Sequence, residues 1–150
     1  MPLLKVLLLF VRQTLLEEQG PLPSACVTML ASVVTVFIDT DRNLGNDDMK
    51  VERDSAGCIV SIAKTLTKFD CGYVGMSRVP TALFGRYFEE ADCALGEEGR
   101  AIHVERILGR LAKTDLAPTC RDISGHGWLE VDTPDERAGA EAALSSGGWA

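Results

Sequence analysis

Glu130 and Asp132 stand two positions apart in the stretch Gly127-Trp-Leu-Glu-Val-Asp-Thr-Pro-Asp-Glu136. Strand side chains alternate, so in an extended segment Trp128, Glu130 and Asp132 share one face and Leu129 and Val131 the other. Two carboxylates at that spacing lie roughly 7 Å apart. They suit a hard cation such as Mg²⁺, which takes one or two carboxylates together with phosphate oxygens and water. Thr133-Pro134-Asp135-Glu136 reads as a capping box, with Thr at the N-cap, Pro at the first helical position and Glu at the third. The box fixes the start of a helix and places Asp132 where the strand stops. In α/β sheets ligands bind beyond the carboxyl ends of strands. The same pattern also fits a solvated sheet edge with an acid near a helix N-terminus, where the dipole favours it.

Other residues offer weaker chemistry. Lys50 follows Asp47-Asp48 and could neutralise a phosphate, although a solvated lysine is the commoner use of that position. Gly72 and Gly75 interrupt an otherwise strand-like run and predict a bulge or a close backbone approach. Asp39-x-Asp41-x-Asn43-x-Gly45 has the look of a calcium loop, but its glycine is one place late and Lys50 stands where a bidentate Glu is required. His103 and His126 have no spacing that calls for a metal. Nucleophile-elbow, zinc-protease, phosphate-loop and dinucleotide fingerprints are absent from the sequence.

The elements that must carry these residues follow from periodicity and breakers. Residues 3–18 are Leu-rich and free of internal Gly or Pro, which predicts a helix ended by "GPLP" at 20–23. "VVTVFID" predicts a buried strand over 33–39, and "MKVERD" and "CIVSIAK" a hairpin about Asp54–Gly57. "CGYVGMSRV" is a further strand over 71–79, followed by helices from Pro80 to about Ala91 and over 100–113. Ile102, Ile107, Leu108 and Leu111 are the expected buried stripe of the second. Two more strands, "PTCRDI" and "GWLEVD", precede a helix over 134–145, and this order predicts a layered α/β domain.

Composition narrows the class. The 150 residues suffice for one domain with a core. A net charge of −7 disfavours nonspecific binding to nucleic acid or to an anionic membrane. The five cysteines are odd in number and form no C-x-x-C pair, so buried thiols in a reducing cytoplasm are expected. Lys5, Arg12 and Glu17-Glu18 break up the apolar N-terminus, so neither a signal peptide nor a membrane span is predicted there.

Two stretches in order carry a resemblance. "DDMKVERDSAGCIVSIAKTL" at 47–66 with "FDCGYVGMSRV" at 69–79, and "GWLEVDTPDERAGAE" at 127–141, resemble the middle and end of sugar-phosphate-type nucleotidyltransferases. The likeness is nearest to the small cytidylyltransferases that act on phosphonates, phosphocholine or inositol phosphate, and covers about residues 33–144. It implies a mixed, mainly parallel sheet with flanking helices, of the nucleotide-diphospho-sugar-transferase type. It also implies transfer of a cytidylyl group from CTP to a phosphate or phosphonate, with release of pyrophosphate. By resemblance Asp132 is a Mg²⁺ ligand assisted by Glu130, and Lys50 faces the acceptor or the α-phosphate. Gly72, Tyr73 and Gly75 let the acceptor lie against their strand.

The resemblance has a gap. The family's glycine-rich G-x-G-[ST]-R loop and its earlier metal-binding Asp match nothing in residues 1–46, so the N-terminal nucleotide-binding half is expected to be missing. On this reading residues 1–25 are a helix and linker, 26–145 the C-terminal part of the transferase domain, and 146–150 a disordered tail. The alternative is a non-catalytic remnant that binds a phosphorylated metabolite or dimerises. Loss of the first strands would expose an apolar edge and favour a homo-oligomer.

Overall fold

Val34, Val36 and Ile38 alternate with Thr35, Phe37 and Asp39, and this period of two sets the central strand of the molecule. The structure, a computed structural model, describes residues 6–8, 33–125, 128–131 and 133–146, with the backbone alone at 6–8, 129 and 130. Two compact units make up the chain, Leu22–Ser124 and Met1–Pro21 with Gly125–Ala150.

The larger unit is built on β2 (Thr35–Asp39), β3 (Lys50–Arg53), β4 (Ile59–Ala63), β5 (Cys71–Arg78) and β6 (Thr119–Asp122). They form one sheet in the order β4-β3-β5-β2-β6. Only β2 and β6 are parallel, and every other pair is antiparallel. The expected mainly parallel sheet is thereby corrected. The links between β3, β4 and β5 are too short for the crossover of a dozen or more residues that parallel neighbours need.

The β3–β4 hairpin has its cause in the turn. Asp54 Oδ1 accepts from the backbone N–H of Ala56 at 2.9 Å and of Cys58 at 2.8 Å, and Gly57 takes φ 81°. In β5 the expected bulge is present. Ile38 and Val36 face Tyr73 and Ser77, so two positions of β2 oppose four of β5, and Gly75 turns the chain with φ 81°. Pro80 leads into a 3-10 turn at Thr81–Leu83 and then α1 (Phe84–Glu98), which runs past the expected end at Ala91 to stop at Gly99, φ 81°. α2 (Val104–Leu111) is shorter than the sequence suggested, because His103 is extended and serves as its N-cap.

One face of the sheet is the core. Val36, Ile38, Val51, Cys71 and Tyr73 pack with Leu108 and Leu111 of α2. The expected stripe holds at Leu108 and Leu111, both fully buried, with Ile107 against them. Arg110 ties α2 to α1 through Glu90 and Glu97, and Arg106 does so through Glu98.

The smaller unit pairs β1 (Val6–Leu8) with β7 (Leu129–Val131), antiparallel, followed by α3 (Pro134–Ser145). Val6–Leu8 is thus a strand, not part of a helix over 3–18. Pairing with a strand distant in sequence has overridden the helical preference of leucine. The capping box is formed: Thr133 Oγ1 accepts from Glu136 N at 3.2 Å and Glu136 Oε2 accepts from Thr133 N at 2.8 Å. Among the described residues no helix is long and apolar enough to cross a membrane.

Candidate functional site

Directly opposite residues on neighbouring strands share a face. Asp39 of β2 lies opposite Gly72 of β5, Gly72 opposite Lys50 of β3, and Lys50 opposite Ala63 of β4. A single row therefore crosses four strands on the face away from the core, with an acid and a base on either side of a glycine. The Cα atoms of Asp39 and Lys50 are two strand spacings apart, roughly 10 Å. The row sits at the carboxyl end of β2, beside the matching end of β6.

At that end four polar side chains interlock. The Ser124 hydroxyl donates to Asp122 Oδ1 and, at 3.3 Å, to Asp39 Oδ1. Thr40 N donates to Ser124 Oγ at 2.8 Å, and the Thr40 hydroxyl donates to Asp122 Oδ2 at 3.0 Å. Burial alone would raise the Asp122 carboxyl. The hydrogen bonds from the Ser124 side chain and backbone and from Thr40, with the charge of Arg53, outweigh it and hold the carboxyl below its ordinary value.

The loop over residues 40–49 folds across the row. Asp39 Oδ1 accepts from the N–H groups of Asp41 and Arg42 at 2.8 and 3.2 Å, which starts the loop with an Asx turn. Asp48 Oδ2 accepts from Gly45 N at 2.6 Å. Lys50 is 6% exposed, and its ammonium donates to the carbonyls of Gly45 at 2.7 Å and Lys64 at 2.8 Å, with the Phe69 ring centroid 5.7 Å away. Leu44 lies on Gly72: a Cβ at position 72 would come within 2.7 Å of Leu44 Cδ2. Lys64, next to the row, pairs with Asp47 at 2.6 Å.

The sequence candidates fall into three groups. Lys50 and Gly72 meet in the row. Tyr73 and Gly75 share β5 with Gly72, but the Tyr73 side chain belongs to the core, its hydroxyl 2.8 Å from Ser77 Oγ across the bulge. Burial pushes the Tyr73 phenol up to about 12 against the lowering effect of Ser77, with Glu105 and Tyr87 adding to the rise, so it stays neutral near pH 7. Asp132 lies outside the described residues, and Glu130 is described by its backbone alone, opposite Leu7.

Sequence reasoning passed over Leu44, Asp122 and Ser124, and weighed Asp39 only as part of a calcium-loop pattern that it set aside. Asp39 and Asp122 each end a strand, which was the available signal, but their union needs β2 and β6 side by side. Among the described residues no group of three or more His, Cys, Asp or Glu is placed to hold a metal. The donor set of Asp39 and Asp122 fits a cation poorly: Asp39 Oδ1 and both Asp122 oxygens already accept hydrogen bonds from Asp41, Arg42, Ser124 and Thr40. The metal reading thus rests on Asp132 and Glu130.

Elsewhere, a groove of about 1000 Å³ runs between β4 and the two helices α1 and α2. Its Arg106 and Arg110 are engaged by Glu98, Glu90 and Glu97, so these cations are committed to holding the helices together. Cys58, Cys71, Cys93 and Cys120 are free, and burial pushes the Cys71 and Cys120 thiols up to about 11 and 12.

No protein-family model and no curated protein matches the sequence. Solved structures do match in fold. The inositol-1-phosphate CTP transferase from T. maritima is 16% identical, with TM-score 0.52, over 69% of this chain and 40% of that one. The nucleoside-diphosphate-sugar pyrophosphorylase from Vibrio cholerae RC9 is 14% identical, with TM-score 0.53, over 79% of this chain and 49% of that one. The chain spans less than half the length of either. The likeness is one of fold: α/β, a mixed sheet with flanking helices, of the kind found in these two nucleotide-handling enzymes.

Proposed function

We propose that the chain supplies the acceptor side of a nucleotidyltransferase. In this reading a cytidylyl group passes from CTP to an oxygen of a phosphate or phosphonate. The acceptor oxygen attacks the α-phosphorus in line, and the bond from that phosphorus to the pyrophosphate breaks, so pyrophosphate leaves. The protein's task is to hold two anions in line and offset their charge.

The observation that carries this reading is the row Lys50–Gly72–Asp39 at the carboxyl end of β2. Lys50 brings a buried cation to the row with no carboxylate in ion-pair contact among the described residues. Gly72 has no side chain, so a ligand could approach the backbone of β5 there. Tyr73 anchors that strand in the core and Gly75 bends it. Asp132, with Glu130, would hold Mg²⁺, which when bound neutralises charge between the two polyanions. The shared fold and the sequence resemblance support the same class of substrate.

A second reading, a non-catalytic module that binds a phosphorylated metabolite, is favoured by the hydrogen bonds that already engage Asp39 Oδ1 and both Asp122 oxygens, which leave the row an anion-binding lysine beside poor metal ligands. One pair of measurements separates them. Calorimetric titration with phosphocholine and with methylphosphonate reads acceptor binding, and pyrophosphate release from CTP and Mg²⁺ with the same acceptors reads turnover. Binding that is weakened in Lys50→Arg, with turnover abolished in Asp132→Asn, is expected of the transferase. Binding without turnover supports the module. Absence of binding by a protein that melts cooperatively overturns both.

A further inference from the structure

Resting on the acceptor reading above, the geometry points to a lid: we propose that residues 40–49 close over the row, and that the acceptor and this loop compete for the same two contacts.

The first contact is the space above Gly72. Leu44 occupies it, at a distance that leaves no room even for a methyl group on residue 72. The second is the Lys50 ammonium. It has three donors, and one is spent on the carbonyl of Gly45, inside the loop. An anion that lies along β5 and engages Lys50 must displace Leu44 and take the place of Gly45 O. Two ligands that exclude one another on shared contacts are thermodynamically linked, so acceptor binding shifts the loop toward its open state.

The loop is built to move. Its residues from Thr40 to Asn43 and from Gly45 to Asp47 are exposed, and Leu44 is half-buried. Its ends are tied by Thr40 to Ser124 and Asp122 and by Met49 O, which accepts from Tyr73 N at 2.8 Å, and its middle by contacts that include the hydrogen bonds at Asp39 and the ion pairs Arg42–Asp48 at 3.3 Å and Lys64–Asp47 at 2.6 Å. The exposed Lys64–Asp47 pair holds weakly. Asp39 and Thr40 fasten the loop's entrance and Met49 and Lys50 its exit, so hinging within residues 41–48 leaves the sheet undisturbed. Opening also separates Lys64 from Asp47, and so presents a further cation beside the row to an anion.

Trypsin reads the loop directly, because the Arg42–Asn43 bond lies within it. The rate of that one cleavage is followed by mass spectrometry on the full chain, with and without saturating phosphocholine or methylphosphonate. Ligand is expected to speed cleavage several-fold. Leu44→Ala is expected to speed it without ligand and to tighten acceptor binding, since the space over Gly72 is already clear. Binding to the wild type with cleavage at Arg42 unchanged or slowed overturns the lid and leaves the acceptor reading standing. Binding by Leu44→Ala alone supports the lid. Absence of binding by both proteins removes the acceptor reading and the lid together. Because Leu44 is only half-buried, Leu44→Ala is expected to fold, and a thermal melt of each protein separates loop opening from general unfolding.

Discussion

The two faces of the five-stranded sheet are made from alternate residues of the same strands, yet different forces hold them. On one face Val36, Ile38, Val51 and Cys71 meet Leu108 and Leu111 with almost no exposed surface. On the other, Asp39, Gly72 and Lys50 lie under a loop held by hydrogen bonds, ion pairs and one leucine. Apolar burial is non-directional and collective, so the first face resists any change of volume. Polar contacts can be exchanged one for one with those of a ligand. The contrast places rigidity under the row and adaptability above it, the arrangement a binding site needs.

The largest test of this contrast is Leu108→Ala. Leu108 is fully buried where α2 meets the sheet, so the substitution opens a cavity beneath the row. A loss of about 2–5 kcal/mol is expected from denaturant melts with an unchanged slope. A loss under about 1 kcal/mol would mean that the core face is as adaptable as the loop face. Gly75→Ala comes next. Position 75 takes φ 81°, which costs a residue with a Cβ roughly 1–2 kcal/mol. The Tyr73–Ser77 hydrogen bond spans the bulge, so hydrogen exchange should quicken in β5 first. An unchanged melt would show that β5 can straighten and that its bulge is not fixed by the core.

Thr133→Ala probes the smaller unit, apart from either face. Loss of the capping box is expected to cost about 1 kcal/mol, read as faster exchange in the first turn of α3. If α3 loosens while the larger unit keeps its melt, the two units are energetically separate. A shift of the whole transition would show them coupled.

What was legible in the sequence follows the same division. The strands of the larger unit could be read because burial on one face forces a period of two. Gly57, Gly75 and the Thr133–Glu136 box could be read because each is a local device. The antiparallel sheet was not legible, since pairing is decided between distant segments. Val6–Leu8 was read as helix because its partner β7 lies at the other end of the chain. Gly72 was recognised as a place of close approach, and the approaching group proved to be the chain's own Leu44. The meeting of Asp39 with Ser124 joins residues 85 positions apart, and no local pattern encodes it.

The smallest effect, and the sharpest test of the polar face, is the pH dependence at Asp122. Its carboxyl is held below its ordinary value, so the folded state binds a proton there less readily than the unfolded chain does. The sign follows from linkage: the stabilisation is complete above the unfolded value, about 3.9, and is lost as pH falls through the folded value. Asp122→Asn keeps one acceptor oxygen but removes the charge that Ser124 and Thr40 address. Wild type should therefore melt above the variant near about pH 7, and the gap should close as pH falls toward about 2. The gap should be small, because Asp122 is exposed and water screens its partners. A gap that stays constant across that range would show that shape, not charge, fastens β2 to β6. The polar face would then be held as its apolar counterpart is, and the contrast between the faces would lose its electrostatic half.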